Sequence, residues 1–291
     1  MMSTSYTKAP PRCCLETRWV RAEPGQTLKP AEQQRFVDLG PARRIWAIGA
    51  VHGDGPALAA LHDALGGHFR PGDRLAYLGN FGLGGAFASV LDELIGFRAW
   101  LISQRGVLAG DLVYLRGAHE EMLQKVMQLQ FAPDPQAVLA WMFGRGLDAT
   151  LTGYGVSPRE GELAARDGAL SLTKWSSTIK AAVRARPGHH EFMLRLRWAA
   201  YVYAEAGGLL MVSANVDPSR PLAAQGDALW WGGSPFHTPD APYEGFARVV
   251  RGWDAGGGGY QSGHHRTTVE SGEPRAVLFD EAGAIQAVIG P

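Results

Sequence analysis

Two histidines and one asparagine sit in glycine-flanked turns, each placed after an apolar run: His52 in GAVHGD, Asn80 in GNFGLGG and His119 in GAHEE. The segments carrying them span residues 44–54, 74–85 and 113–123. Each apolar run ends in glycine, where backbone can bend sharply or come close to a ligand. An imidazole at such a place can contact a ligand, hydrogen-bond backbone in a partly buried turn, or add charge below about pH 6.5. The turns at residues 53–55 and 117–119 each lead into a helical pattern, so two helix N-termini would aim N–H groups at one crevice. Glu120 falls in the first turn of the second helix, where the helix dipole favours a carboxylate.

The elements that position these groups are legible as a pattern. IWAIGAV, RLAYLG and DLVYLRG read as short buried strands bounded by turn residues. Gly55 and Pro56 occupy places favoured at a helix start, and ALAALHDAL follows at helical spacing. AFASVLDELIGFRAWLIS and EEMLQKVMQLQ continue the alternation. Strands alternating with helices predict βαβ units and a largely parallel sheet, with His52 and His119 at its carboxyl edge.

Residues 1–42 show no sustained period and read as an irregular extension, pinned by Trp19 and Phe36. Residues 132–190 read as helical and loop-rich. LLMVSANVDP and FARVVRGWDAGG read as strand-plus-turn units, and PRAVLFDEAGAIQAVI as two strands around an Asp-Glu-Ala-Gly turn.

Composition narrows the classes. The 291 residues are long enough for a substantial core, as one large α/β domain or two small ones. Lys+Arg and Asp+Glu balance at 28 each, and no basic run appears, so no net field draws the chain to nucleic acid or anionic lipid. The two cysteines, Cys13 and Cys14, are adjacent, whereas metal or redox motifs need separated ligands. No stretch approaches a membrane span, and the N-terminal residues lack a secretory apolar region. A reducing cytoplasm is the expected compartment, with no nucleic-acid or membrane partner.

The three segments resemble the signature motifs of the calcineurin-like metallophosphoesterases, the family of the Ser/Thr protein phosphatases and the bacterial diadenosine tetraphosphatases. Those motifs read G-D-x-H-G, G-D-x-x-D-R-G and G-N-H-E; this chain reads GAVHG, GNFGLGG and GAHE. The resemblance runs from about residue 43 to the C-terminus. It implies an α/β, four-layer metallophosphoesterase sandwich, two mixed β-sheets flanked by helices, over residues 43–291. Residues 132–190 would be a helical insertion at the mouth of the site.

The resemblance also implies where two metal ions would be held, and most of those positions are changed. The first aspartate position is Ala50, its companion histidine is kept as His52, and the bridging aspartate is Asn80. The asparagine of the third motif is Ala118. A fourth motif aligns with LLMVSANVDPSRPL and puts Ser213 at a ligand histidine, and a fifth aligns with VVRGWD and puts Trp253 at another. His119 matches the histidine that protonates the leaving group, but its orienting aspartate corresponds to Leu83 and the phosphate-clamping arginine to Gly84. Two carboxylates are lost, and a pair of doubly charged ions needs that charge. Trp253 would then fill the volume of the metals and their waters.

Nearby residues offer candidate substitute ligands. His237, in an HTP triplet after Phe236, imitates the fifth motif. Asp54, Asp73, Asp217, Asp254, His264 and His265 could also rebuild a site, although Asp54, Asp73 and Asp217 read as turn or cap residues. The leading expectation is a catalytically inactive metallophosphoesterase serving as a protein-binding or structural subunit, with no cofactor and a protein partner of unknown identity. The alternatives are an active phosphoesterase with relocated ligands, which would carry a Mn, Fe or Zn pair, and a metal-free phosphate or nucleotide sensor.

Overall fold

The computed structural model describes residues 35–291 apart from 83, 205–206, 234–235, 237–239 and 271. Its five-stranded sheet runs in the order β11 (Ile285–Ile289), β10 (Ala276–Phe279), β2 (Ile45–Ile48), β3 (Arg74–Tyr77) and β4 (Leu112–Tyr114). Strands β2, β3 and β4 are parallel, while β10 is antiparallel to β2 and to β11. The six-stranded sheet runs β1 (Phe36–Asp38), β5 (Ala199–Val202), β6 (Leu209–Val212), β7 (Arg248–Arg251), β9 (Arg266–Thr268) and β8 (Gln261–Ser262). It too is mixed, with β6, β7 and β9 parallel.

Strand side chains alternate between faces, and that alternation builds the layers. In β2, Ile45 and Ala47 join Ala76, Leu78, Ala200, Leu209, Met211 and Val250 in a core shared by the two sheets. Trp46 and Ile48 point the other way, with Leu75 and Tyr77, into a core covered by helices. On the six-stranded sheet, Leu210 and Val212 face outward to Trp230 and Phe246. The result is two mixed sheets packed face to face and flanked by helices, as the resemblance implied.

The helices over the five-stranded sheet are α1 (Gly55–Gly66), α2 (Phe87–Ser103), α3 (Ala118–Val126), α4 (Pro135–Phe143), α5 (Leu147–Gly153), α6 (Pro158–Asp167), α7 (Ala169–Ala185) and α8 (His189–Arg195). The short α9 (Ala228–Trp231) lies with the six-stranded sheet. Adjacent carboxylates on α2 reach two buried histidines. Glu93 lies 2.6 Å from His62 Nδ1, and His62 Nε2 meets the Tyr77 hydroxyl at 2.9 Å. Asp92 lies 2.9 Å from His189 Nε2, and His189 Nδ1 meets the Tyr154 hydroxyl at 2.7 Å. Burial pushes His62 below its ordinary value, against the pull of Glu93.

One boundary differs from the sequence expectation. Strand β1 falls inside the span read as irregular, and Phe36 pairs with Ala199 in parallel register. Three residues are too few for a period to show, and their partner lies far along the chain. Trp19 and residues 1–34 lie outside the described residues. Helices α4 to α8 share one hydrophobic core with Trp46 and Tyr77, so residues 132–190 are built into the helical layer.

Candidate functional site

The loops that leave β2, β3, β4, β6, β7 and β9 at their carboxyl ends meet at one edge of the two sheets. Backbone bonds stitch them together. The amides of Val51 and His52 both donate to Asn80 O, at 3.1 and 3.0 Å, and Gly53 N donates to Phe81 O at 2.9 Å. Ala50 N donates to Gly252 O at 3.0 Å, which ties the five-stranded sheet to the six-stranded one. Gly252 N and Trp253 N each donate to Ser213 O at 3.0 Å.

Local conformation explains the residue types. His52 and Asn80 adopt left-handed backbone, at φ 51 and 55, a region where Asn and His are tolerated better than most side chains. Gly79, at φ +85, packs so closely that a Cβ would lie 2.6 Å from Gly117 N and 2.9 Å from Ser213 Oγ. Glycine is required there on both counts. Asp54 caps α1 by accepting from Ala57 N at 3.0 Å, with proline in the first turn, as its sequence context predicted.

Glu120 does more than greet a helix dipole. It is fully buried, and its carboxylate accepts the amides of Gly117 at 2.8 Å and of Asn80 and Phe81 at 2.9 Å each. Burial pushes its carboxyl above the ordinary value, and these amides offset that rise only in part. The loop amides that an anion would have used are therefore engaged inside the fold. Gly53, Asp54 and Gly55 also donate internally, to Phe81 O, Val51 O and Gly53 O. This weighs against the expectation of a metal-free phosphate cradle at these turns.

The structure draws most of the sequence-selected positions together. His52 Nε2 lies 3.0 Å from Glu270 Oε1, and its ring meets the edge of Trp253 at 6.4 Å between centroids. Trp253 is half-buried. Asn80 Oδ1 accepts from His119 N at 3.4 Å and lies 3.4 Å from His119 Nδ1. Ala50, Asn80, Ala118 and Ser213 are buried around them. Burial, with the neighbouring His52, drives His119 down to about 4, the Arg145 backbone opposing slightly. His119 is thus a neutral base near pH 7. Gly84 lies in a short turn that packs against α5, and Leu83 and His237 lie outside the described residues.

The donor set does not fit a pair of divalent ions. Among the described residues, no group of three or more His, Cys, Asp or Glu side chains is arranged to hold a metal ion. Ala50 and Ala118 offer no ligand, and Asn80 and Ser213 are neutral. Asn80 Nδ2, Ser213 Oγ, His52 Nδ1 and His119 Nε2 are buried without a hydrogen-bond partner. Of these atoms, Asn80 Nδ2 carries only hydrogens toward a cation, and Ser213 Oγ brings no charge.

The substitute ligands are occupied elsewhere. Asp73 sits at the opposite end of β3, where it accepts from Arg44 Nε and Trp46 Nε1 at 2.9 Å each. Asp217 organises its own turn through Ser219 N at 2.9 Å. Asp254 pairs with Arg251 at 3.0 Å and accepts from Gly256 N at 3.0 Å. His265 Nδ1 lies 2.9 Å from Ala247 O, and the exposed His264 ring packs against that of His265, 4.5 Å between centroids.

Glu270 is the site residue that the sequence did not reveal. Its Oε2 accepts from Asp254 N at 2.8 Å while Oε1 meets His52, 218 positions away. The only local signal was a carboxylate directly after the buried run Thr267, Thr268 and Val269.

With the fold and crevice in place, the chain can be set beside known proteins. Solved structures similar to it include a candidate diadenosine tetraphosphatase, at 17% identity and TM-score 0.48, covering 88% of this chain and 97% of that one. A protein serine/threonine phosphatase from Saccharomyces cerevisiae is similar at 14% identity and TM-score 0.49, covering 89% and 84%. A cold-active protein-tyrosine phosphatase of a Shewanella species is similar at 11% identity and TM-score 0.42, covering 90% and 85%. No protein-family model and no curated protein matches the chain. Similarities this low leave the chemistry of the crevice to be read from its own residues.

Proposed function

We propose that this protein is a phosphoesterase-fold chain that does not hydrolyse phosphate esters and acts by binding another protein. The carrying observation is the donor set of the crevice: the surviving His52 turns Nε2 to Glu270, and the positions around it offer Ala, Asn and Ser. Activation of water by two metals needs anionic ligands that hold both ions and leave room for the nucleophile. His119, neutral and buried, has the amide of Asn80 beside Nδ1, a neutral neighbour that fixes its tautomer less firmly than a carboxylate.

A binding role is supported by apolar side chains left on the surface of the helical layer. Phe131 is 79% exposed, Leu170 73% and Leu194 65%. Exposed apolar side chains that gather into one patch favour protein contacts. No helix among the described residues is long and apolar enough to cross a membrane.

The test pairs two measurements on the full chain. Aryl phosphate and diadenosine tetraphosphate, offered with manganese, should show no turnover above background. Affinity capture and native mass spectrometry should show a co-purifying chain. Turnover that is abolished by His52→Ala would sink the inactive reading, and a protein that is only ever monomeric and alone would sink the binding role.

A further inference from the structure

We propose that Glu270 serves as the fixed partner of His52 in place of a metal ion, making the crevice a metal-independent latch between the two sheets. His52 extends from the loop after β2, in the five-stranded sheet, and Glu270 from the loop after β9, in the six-stranded sheet. The two carboxylate oxygens divide their work. Oε1 meets His52 Nε2 at 3.0 Å, and Oε2 accepts from Asp254 N at 2.8 Å, so one side chain joins three loops.

The chemistry of the pair excludes a cation at the same nitrogen. An ionised carboxylate only accepts, so the ring nitrogen facing it carries the proton and has no lone pair for a metal. The opposite nitrogen, Nδ1, is buried without a hydrogen-bond partner. Both partners are shielded, with side-chain exposures of 22% for His52 and 13% for Glu270. The Trp253 ring packs beside the imidazole in a T-shaped arrangement, with centroids 6.4 Å apart. A shielded, hydrogen-bonded pair is worth more than one on an open surface. Loops that cations would tie together, with ligand positions from both sheets, are instead tied by the chain's own carboxylate.

The inference rests on the reading of the crevice given above, yet it is tested separately from catalysis. Nitrogen-15 spectra of the full chain report the protonation of each imidazole nitrogen. His52 Nε2 should be protonated in excess chelator and equally in excess zinc. Conversion of that nitrogen to an unprotonated, zinc-bound form would overturn the latch.

Thermal unfolding supplies the second arm. His52→Ala and Glu270→Ala should each lower Tm by about 2–4 °C, a shift expected for the loss of one shielded pair in a chain of this size. The double variant should fall no further than the larger single loss, because either change removes the same interaction. Additive losses would overturn the proposal. Should Glu270→Ala fail to fold, Glu270→Gln serves the same cycle: its smaller loss should vanish in the His52→Ala background, and persistence there would count against the latch. Metal-dependent turnover with the His52 signal unchanged would remove the inactive reading and leave the latch standing.

Discussion

Glu120 accepts the backbone N–H of Asn80 at 2.9 Å, and through it the start of α3 holds the loop that follows β3. The same carboxylate takes the amides of Phe81 and Gly117. A side chain that reads in sequence as a helix-start residue is thus the hub of the crevice. Its removal would free three N–H groups in a fully buried setting.

Glu120→Ala should therefore be among the most damaging single changes in the chain. Each buried donor left unsatisfied costs about 1–3 kcal/mol, and with partial relaxation the total loss should be about 3–5 kcal/mol. Urea unfolding followed by circular dichroism reads it. A loss below about 1 kcal/mol would show that the loop finds other partners.

Acid should weaken the protein through His119. Its value in the folded chain is about 4, below the ordinary 6.5, so the unfolded chain binds more protons between those limits. Stability then rises with pH across that window and is lost as pH falls through it. His62, also pushed down by burial, acts in the same direction. His119→Gln should flatten the pH dependence between about 4 and 6.5 by up to about 3 kcal/mol. Denaturant midpoints at several pH values check this, and an unchanged slope would contradict it.

Asn80→Asp, which restores a carboxylate at the implied bridging position, should not restore a metal site. Asn80 is fully buried, and among the described residues the donor seen at its Oδ1 is His119. A new anion there would lack a cation partner, costing about 2–4 kcal/mol near pH 7. The loss should shrink as pH falls and the new carboxyl is protonated. Manganese should leave the variant's melting temperature unchanged; a manganese-dependent rise would show that the crevice still accepts a metal.

The strands and turns that build the crevice were legible because their signals are local. β2, β3 and β4 each show as an apolar run that ends in glycine or leads to a Gly turn, and the Asp280 turn between β10 and β11 closes through Asp280 N to Ala284 O at 3.0 Å. Asp54 announced its capping role beside Gly55 and Pro56. Glu270 did not announce itself, because its meaning depends on His52 across 218 positions and on a partner sheet. β1 was hidden for the same reason: three residues become a strand only when β5 lies alongside. Asp92 and Glu93 likewise look like an ordinary solvated pair until α1 and α8 bring histidines to them.

That last pair has a consequence for how the molecule opens. Consecutive residues on a helix point about 100° apart, so Asp92 and Glu93 grip neighbours on different sides of α2. Any roll or slide of α2 breaks the bonds to His189 and His62 together. Protection against hydrogen exchange should accordingly be shared by α1, α2 and α8, whose amides would become accessible in one concerted event.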